Sequence, residues 1–323
     1  MEADKIKTVA IVGAGTMGAG IAGEFARAGC DVRLVDRSSE LLNSGMAFLR
    51  LAQNALTDAG QITEEAGDAA LARVRLLCSM EEACAGVELV VETVTENLEI
   101  KRSVLSQAEC FCPKDAIFAS NTSGLSITEI ADATSRPARV AGMHFFNPPH
   151  VIPLVEVTKG AQTSSATAQL LMDLSKRLGK RPILVKRDVP GFVANRLQFA
   201  VMREALHILS EGIASADDID TAMTAGPGLR YALMGPLRTA DLGGLDVFHK
   251  ISQYLFAELN SETTPSPVLA DLVAEGKLGA KTEAGIYDYP PHEVERILGR
   301  RDRILLEFLR VLSRDGAEAG ASH

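Results

Sequence analysis

Residues 7–37 read KTVAIVGAGTMGAGIAGEFARAGCDVRLVDR, and this stretch decides the fold. KTVAIVG has the unbroken apolar run of a strand buried on both faces. TMGAGIAGEFARAG has the small residues and closing Gly29 of a tightly packed helix, and CDVRLVDR reads as a second strand. Strand, glycine turn, helix and strand within about thirty residues make one βαβ unit. Gly13-x-Gly15-x-x-Gly18 is unspecific by itself, but here it leaves a strand and opens a helix. In that setting Gly13 makes the tight turn, Gly15 admits a pyrophosphate to the backbone, and Gly18 lets helix and strand approach. Unpaired amides at the helix start, around Thr16 and Met17, face the phosphates. Asp36 ends the second strand, where a carboxylate accepts from both ribose hydroxyls and repels a 2′-phosphate. The expected cofactor is NAD. Arg37 leaves NADP use open, and a helix-capping role is the structural alternative for Asp36.

Further along, residues 39–78 carry interrupted helical patterning, expected as a pair of helices projecting between strands as an arm. VELVVETV and AIFASNTS read as strands flanking a helix near 98–110, and RVAGMHFF and IPLVEVTKG continue the sheet. From DVPGFVANRLQFAVMREALHILSEG the period becomes helical, with Pro190 and Gly191 at the junction. The expected organisation is α/β: a Rossmann-type, doubly wound, mainly parallel sheet over 1–188, then an all-helical domain over 189–323 ending in a frayed tail.

The bulk properties narrow the function. A chain of 323 residues exceeds one ordinary core, and 46% apolar residues suffice to bury two. The net charge of −9, without a run of Lys or Arg, points away from nucleic acid and anionic membranes and toward a small-molecule substrate. The first residues lack a signal-peptide pattern, and no stretch has the length of a membrane-spanning helix. Five cysteines, Cys30, Cys78, Cys84, Cys110 and Cys112, fit free thiols in a reducing cytoplasm. Cys110-x-Cys112 has neither redox nor zinc spacing, so no metal site is expected.

HFFNPPHVIPLVEV, residues 144–157, places Glu156 inside an apolar strand, where a core needs no charge. Oxidising an alcohol requires a base for the hydroxyl proton, and histidine suits that work near neutral pH. A carboxylate on the other ring nitrogen fixes the tautomer and stabilises the imidazolium. His144 and Glu156 are candidates for such a pair. A tight hairpin centred on Pro148 and Pro149 would set His144 opposite position 153, so contact with Glu156 needs a looser connection. A satisfied polar histidine and an edge-strand charge are the bland alternatives. His150 reads as structural and His207 as helix packing, while SNTSG (120–124) sits at the sheet's carboxyl edge, where Ser123 could donate to substrate or the segment could simply turn and cap a helix.

Together VAIVGAGTMGAGIA, VVETVTENLEIK, ASNTSGLSITEIA, GMHFFNPP with PLVEV, PGFVANRL and LGAKTEAGIYDY resemble the L-3-hydroxyacyl-CoA dehydrogenase family, in order from about residue 7 to 289. The resemblance implies an NAD-binding Rossmann domain, a helical domain that forms a homodimer, and an active site in the cleft between them. It implies His144 as base, Glu156 as its orienter, and Ser123 and Asn195 as hydrogen-bonding groups around the substrate. It further implies cofactor contacts from the three glycines, Asp36, Glu96, Lys101, Ser123, Asn147 and Lys281. The implied reaction is NAD-dependent oxidation of an L-3-hydroxyacyl substrate to the 3-keto product, nominally 3-hydroxybutyryl-CoA.

The sequence also departs from the acyl-CoA pattern. Where acyl-CoA enzymes of the family present a serine and a lysine to CoA, this chain has Ala52 and Ala59, with no lysine between Lys7 and Lys101. Phosphates normally recruit Lys or Arg. NPPHVIPLVEV and GPGLRYALMGPL are similar to relatives acting on free acids, the gulonate dehydrogenase (lambda-crystallin) branch and a pyridine-carboxylate dehydrogenase. Arg230 is a candidate clamp for a free carboxylate, or else a helix-terminal charge. The alternatives are therefore a dehydrogenase of a free hydroxy acid, sugar acid or aromatic alcohol carboxylate, and a non-catalytic NAD-binding structural protein.

Overall fold

Alternation along the first strand, β1 (Thr8–Val12), sets the layering: Val9 and Ile11 enter one apolar core, Ala10 and Val12 the other. A strand covered on both faces must be apolar at every position, which is why the run is unbroken. The computed structural model describes residues 2–319. After β1 come α1 (Thr16–Arg27), β2 (Asp31–Val35), α2 (Ser39–Asp58), α3 (Glu64–Ala72), β3 (Val74–Leu77) and α4 (Met80–Cys84). Then follow β4 (Leu89–Glu92), α5 (Leu98–Phe111), β5 (Ile117–Ser120), α6 (Ile127–Ala131), β6 (Val140–Phe145), β7 (Leu154–Thr158), α7 (Ser165–Arg177) and β8 (Arg181–Val185). Ser38, Thr63, Ser79, Asn97, Ser126 and Ser164 each cap a helix by accepting an amide hydrogen bond from the first turn.

The eight strands form one sheet in the order β3-β2-β1-β4-β5-β6-β7-β8. All neighbours are parallel except β6 and β7. This is the expected doubly wound architecture, with the strand order reversing between β1 and β4. Three details differ from the sequence reading. Residues 74–77, assigned to the arm, form the edge strand β3, since Val74 and Leu77 face the core while Arg75 points outward. The arm does not project along its length: Leu42, Gly45, Leu49, Ala52, Gln53 and Leu56 of α2 are buried. A Cβ on Gly45 would lie 2.5 Å from the Ala14 carbonyl oxygen, so α2 lies against the glycine turn itself. The sequence reading does not resolve α7 and β8, because Pro182 and the half-exposed edge leave β8 without an alternating pattern.

The chain divides between Arg196 and Leu197 into two compact units, within α8 (Ala194–Ser210). The second unit continues through α9 (Ala216–Ala225), α10 (Pro227–Gly243), α11 (Leu245–Leu255), α12 (Pro267–Ala274) and α13 (Glu293–Ala319). Gly235, with φ of 74°, breaks α10 just before Pro236. Part of the expected tail falls within α13, which runs to Ala319, and residues 320–323 lie outside the described residues. Among the described residues of this unit only Leu206 and Leu306 are buried. Among the described residues no helix is long and apolar enough to cross a membrane, and no cluster of His, Cys, Asp or Glu could hold a metal ion.

The second and third glycines of the turn separate open space from packing. A Cβ on Gly18 would sit 1.8 Å from the Gly13 carbonyl oxygen, whereas one on Gly15 would meet nothing within 4 Å. Gly18→Ala is expected to lower stability by about 3 kcal/mol or more, as overpacking against backbone does. Gly15→Ala should cost less than about 1 kcal/mol, the scale of a cap change. Equilibrium denaturation of the two variants checks the difference, and equal losses would refute it.

Candidate active site

At the end of β1 the backbone enters the turn with Gly13 at φ of 110°, a left-handed conformation suited to glycine. The Thr93 hydroxyl, following β4, donates to the Val12 and Gly13 carbonyls at 3.0 Å each and fixes the turn from below. Gly15 caps α1 without a side chain, and no acidic residue lies in the first turn, so Thr16 and Met17 begin a helix whose amides face an open, exposed surface. Asp36 Oδ2 accepts from the Ala14 amide at 2.7 Å, and Oδ1 from the Arg37 amide at 2.7 Å. Asp36 is not the cap of α2; Ser38 is. The space over Gly15 and a carboxylate at the end of β2 fit a dinucleotide with an unphosphorylated ribose.

The ends of β4 and β5 carry a second constellation. Lys101 on α5 is buried, with its ammonium 2.8 Å from Glu92 Oε1, 3.3 Å from Glu96 Oε2 and donating to the Val94 carbonyl at 3.0 Å. Glu92, also buried, accepts from the Ser120 hydroxyl at 2.6 Å and the Val94 amide at 2.7 Å. Burial pushes the Glu92 carboxyl up despite Lys101 and Ser120. Glu96 accepts from the Thr122 hydroxyl at 2.6 Å and the Ser123 amide at 2.8 Å. Its burial would raise it, but those bonds and Lys101 outweigh burial and hold the carboxyl low. Glu92 and Ser120 were missed by sequence reasoning. The signal was present in Glu92, a charge inside an apolar strand as unexpected as Glu156.

His144 and Glu156 are direct cross-strand partners on β6 and β7. His144 Nδ1 lies 2.9 Å from Glu156 Oε2, with the histidine 4% and the glutamate 0% exposed. The looser connection that contact demands is residues 146–153, which fold about position 150 rather than about the prolines. The Asn147–Pro148 bond within it is cis, and Asn147 is exposed. Glu156 Oε1 accepts from the Val193 and Ala194 amides at 3.0 and 2.9 Å, at the start of α8. Burial alone would raise the carboxyl, yet the imidazole and the two amides outweigh it and hold it below the usual carboxylate range. Phe146 and Phe192 wall the imidazole, at ring-centroid distances of 4.4 and 6.0 Å. Asn195 Nδ2 donates to the Ser123 carbonyl at 2.8 Å, tying α8 to the exposed end of the SNTSG loop.

The first unit thus brings together His144, Glu156, Ser123 and Asn195, and holds the glycine turn, Asp36, Glu96, Lys101 and Asn147 along the same edge of its sheet. Arg230, in the first turns of α10, and Lys281 belong to the second unit, where both are exposed.

The model of the 3-hydroxyacyl-CoA dehydrogenase NAD binding domain matches residues 8–189, and that of the 3-hydroxyacyl-CoA dehydrogenase C-terminal domain matches 191–289. A 5-formyl-3-hydroxy-2-methylpyridine 4-carboxylate 5-dehydrogenase of Mesorhizobium japonicum is 35% identical over 307 residues, 95% of this chain and 98% of its own. A solved structure described by that activity, and as an NAD+-dependent dismutase, matches with a TM-score of 0.90 at 35% identity over 95% of this chain and 99% of that one. The structure of (S)-3-hydroxybutyryl-CoA dehydrogenase from Ralstonia eutropha matches with a TM-score of 0.73 at 40% identity, over 88% of this chain and 100% of that one. Members of the family are NAD-dependent dehydrogenases. With both domain models matched in order and relatives alike along nearly its whole length, this chain belongs to the 3-hydroxyacyl-CoA dehydrogenase family.

Proposed function

We propose that the protein oxidises a small alcohol, or the hydrate of an aldehyde, with His144 as general base. The observation that carries this reading is the buried His144–Glu156 contact of 2.9 Å at the edge where the dinucleotide turn opens. Bound NAD+ supplies the hydride acceptor. Glu156 holds Nδ1–H, which leaves Nε2 unprotonated and able to take the proton from the reacting hydroxyl. As the imidazolium forms, the carboxylate already in place neutralises it without reorganising. Asn195 and Ser123 border the reacting end and orient it. Their mutual bond through the Ser123 carbonyl keeps the two at a fixed spacing.

The substrate proposed is a free carboxylate-bearing hydroxy or formyl compound rather than a CoA thioester. The helices α2 and α3 carry Glu40, Asp58, Glu64, Glu65 and Asp68 against a single cation, Arg50. Arg73 and Arg75, just beyond, pair with Asp31 and Glu82. Such a surface repels the phosphates of CoA. Ala52, at the family's serine position, is buried in the packing of α2. The higher TM-score over a longer share of the chain to the pyridine-carboxylate enzyme supports the same side. The acyl-CoA reading is favoured by the 40% identity to the hydroxybutyryl-CoA enzyme. Arg230 is the proposed cation for the free carboxylate.

The exposed apolar residues of the second unit support a homodimer. Leu237, Phe256 and Leu242 are 86, 73 and 71% exposed, and most of the exposed large apolar residues lie in this unit. A second copy of this helical unit is the proposed cover. Light scattering should return twice the chain mass, and a stable monomer at micromolar concentration would count against it.

Two activity measurements test the chemistry. His144→Gln is expected to retain NADH binding by fluorescence while losing about 10²–10⁴-fold in rate; normal turnover would remove His144 from the role of base. Side by side, 5-formyl-3-hydroxy-2-methylpyridine 4-carboxylate should be turned over at a higher kcat/KM than 3-hydroxybutyryl-CoA, and the reverse order assigns the acyl-CoA reaction instead.

A further inference from the structure

Besides Lys101, a second buried cation touches the connection between the strands of His144 and Glu156 and has no part in the proposed chemistry. Lys180, just before β8, keeps its side chain only 6% exposed and sets its ammonium 2.8 Å from Glu24 Oε2 on α1. The same ammonium donates to the Pro149 carbonyl and, at 3.4 Å, to the Ile152 carbonyl. Its three protons therefore have three acceptors. Both carbonyls belong to the 146–153 connection between the strands of His144 and Glu156, where the backbone leaves the ladder. The Val151 and Ile152 amides bond to the Pro148 carbonyl, and a neutral apolar residue at position 180 would deprive the Pro149 and Ile152 carbonyls of this donor.

The other end of the contact is the helix that opens at the dinucleotide turn. The second oxygen of Glu24 is held by Arg27, which fixes the carboxylate's orientation. One turn earlier on α1, a Cβ on Gly20 would come within 3.0 Å of the Pro149 ring, so the helix and the connection touch there directly. A hydrophobic contact alone permits sliding; an ammonium shared by one carboxylate and two carbonyls does not.

We propose that Lys180 is a positioning residue for the dehydrogenase reaction: through Glu24 it locks the Asn147–Ile152 connection to α1, so that the imidazole and the dinucleotide turn keep one spacing. The inference rests on His144 being the base. Displacement of about 1 Å between reacting groups is enough to lose 10²-fold in rate. Lys180 acts on that spacing without touching substrate or cofactor.

Lys180→Met should lower kcat about 10²-fold on whichever of the two compounds above is turned over, while NADH affinity by fluorescence and the pH profile stay as in the wild type. Lys180→Arg, which keeps a cation in place, should recover most of the loss. Removing one partner of a buried pair also destabilises, so the double variant Glu24→Gln/Lys180→Met separates the two effects. The expected result is thermal stability restored toward the wild type with kcat still depressed. Turnover of Lys180→Met within two-fold of the wild type, or recovery of rate together with stability in the double variant, overturns the proposal. Full activity in His144→Gln would instead overturn the base assignment on which it rests.

Discussion

One carboxylate with no access to water holds three parts of the first unit in register. Glu156 belongs to a strand, faces the imidazole of the neighbouring strand, and accepts from the Val193 and Ala194 amides, where the helix that follows the Rossmann sheet begins. A buried anion is tolerated only when its lone pairs are taken. Here the requirement works as an instruction: the chain can satisfy Glu156 only by bringing β6, β7 and the start of α8 together. The helix in turn carries Asn195, whose amide reaches the loop after β5. Local electrostatics and the assembly of this edge of the sheet are thus one problem with one solution.

The βαβ unit was legible because each of its constraints is local. An unbroken apolar run, glycines at fixed offsets and a terminal acid are all readable within thirty-one residues. The direction of β7 was not. Strand polarity depends on the path of 146–153, and proline content tells where regular structure stops without telling where it resumes. The register that sets residue 144 opposite 156 is a property of the β6–β7 ladder, not of spacing along the chain. Asn195 was similarly opaque, since one polar residue on an amphipathic helix has no pattern of its own; the family resemblance singled it out. Glu92 is the opposite case, a charge that stands out inside an apolar strand of the sequence, while its pairing with the buried Lys101 is visible only in the fold.

The sheet's carboxyl edge concentrates charge in a graded way. Asp36 and the glycine turn occupy one side of the switch point, Glu92, Lys101 and Glu96 follow, and the His144–Glu156 pair lies beyond. Within each group the acid is matched by a donor, whether amide, ammonium or imidazole. The carboxylates of the flanking helices α2 and α3 are exposed, and Glu40 and Glu65 among them accept hydrogen bonds at the helix starts, from Ser38 and Thr63. An edge that accepts a dinucleotide through backbone amides needs no surplus of lysine, which is how an acidic chain can still bind phosphates.

Phe192 adds a final consideration. It is buried at φ of 50°, a backbone region that glycine enters freely and phenylalanine only at about 1–3 kcal/mol. Replacing the ring by hydrogen would relax the chain and remove a buried wall of the imidazole, whose centroid lies 6.0 Å away. The backbone strain at this position is the counterpart of keeping an aromatic ring packed in the apolar core beside the histidine.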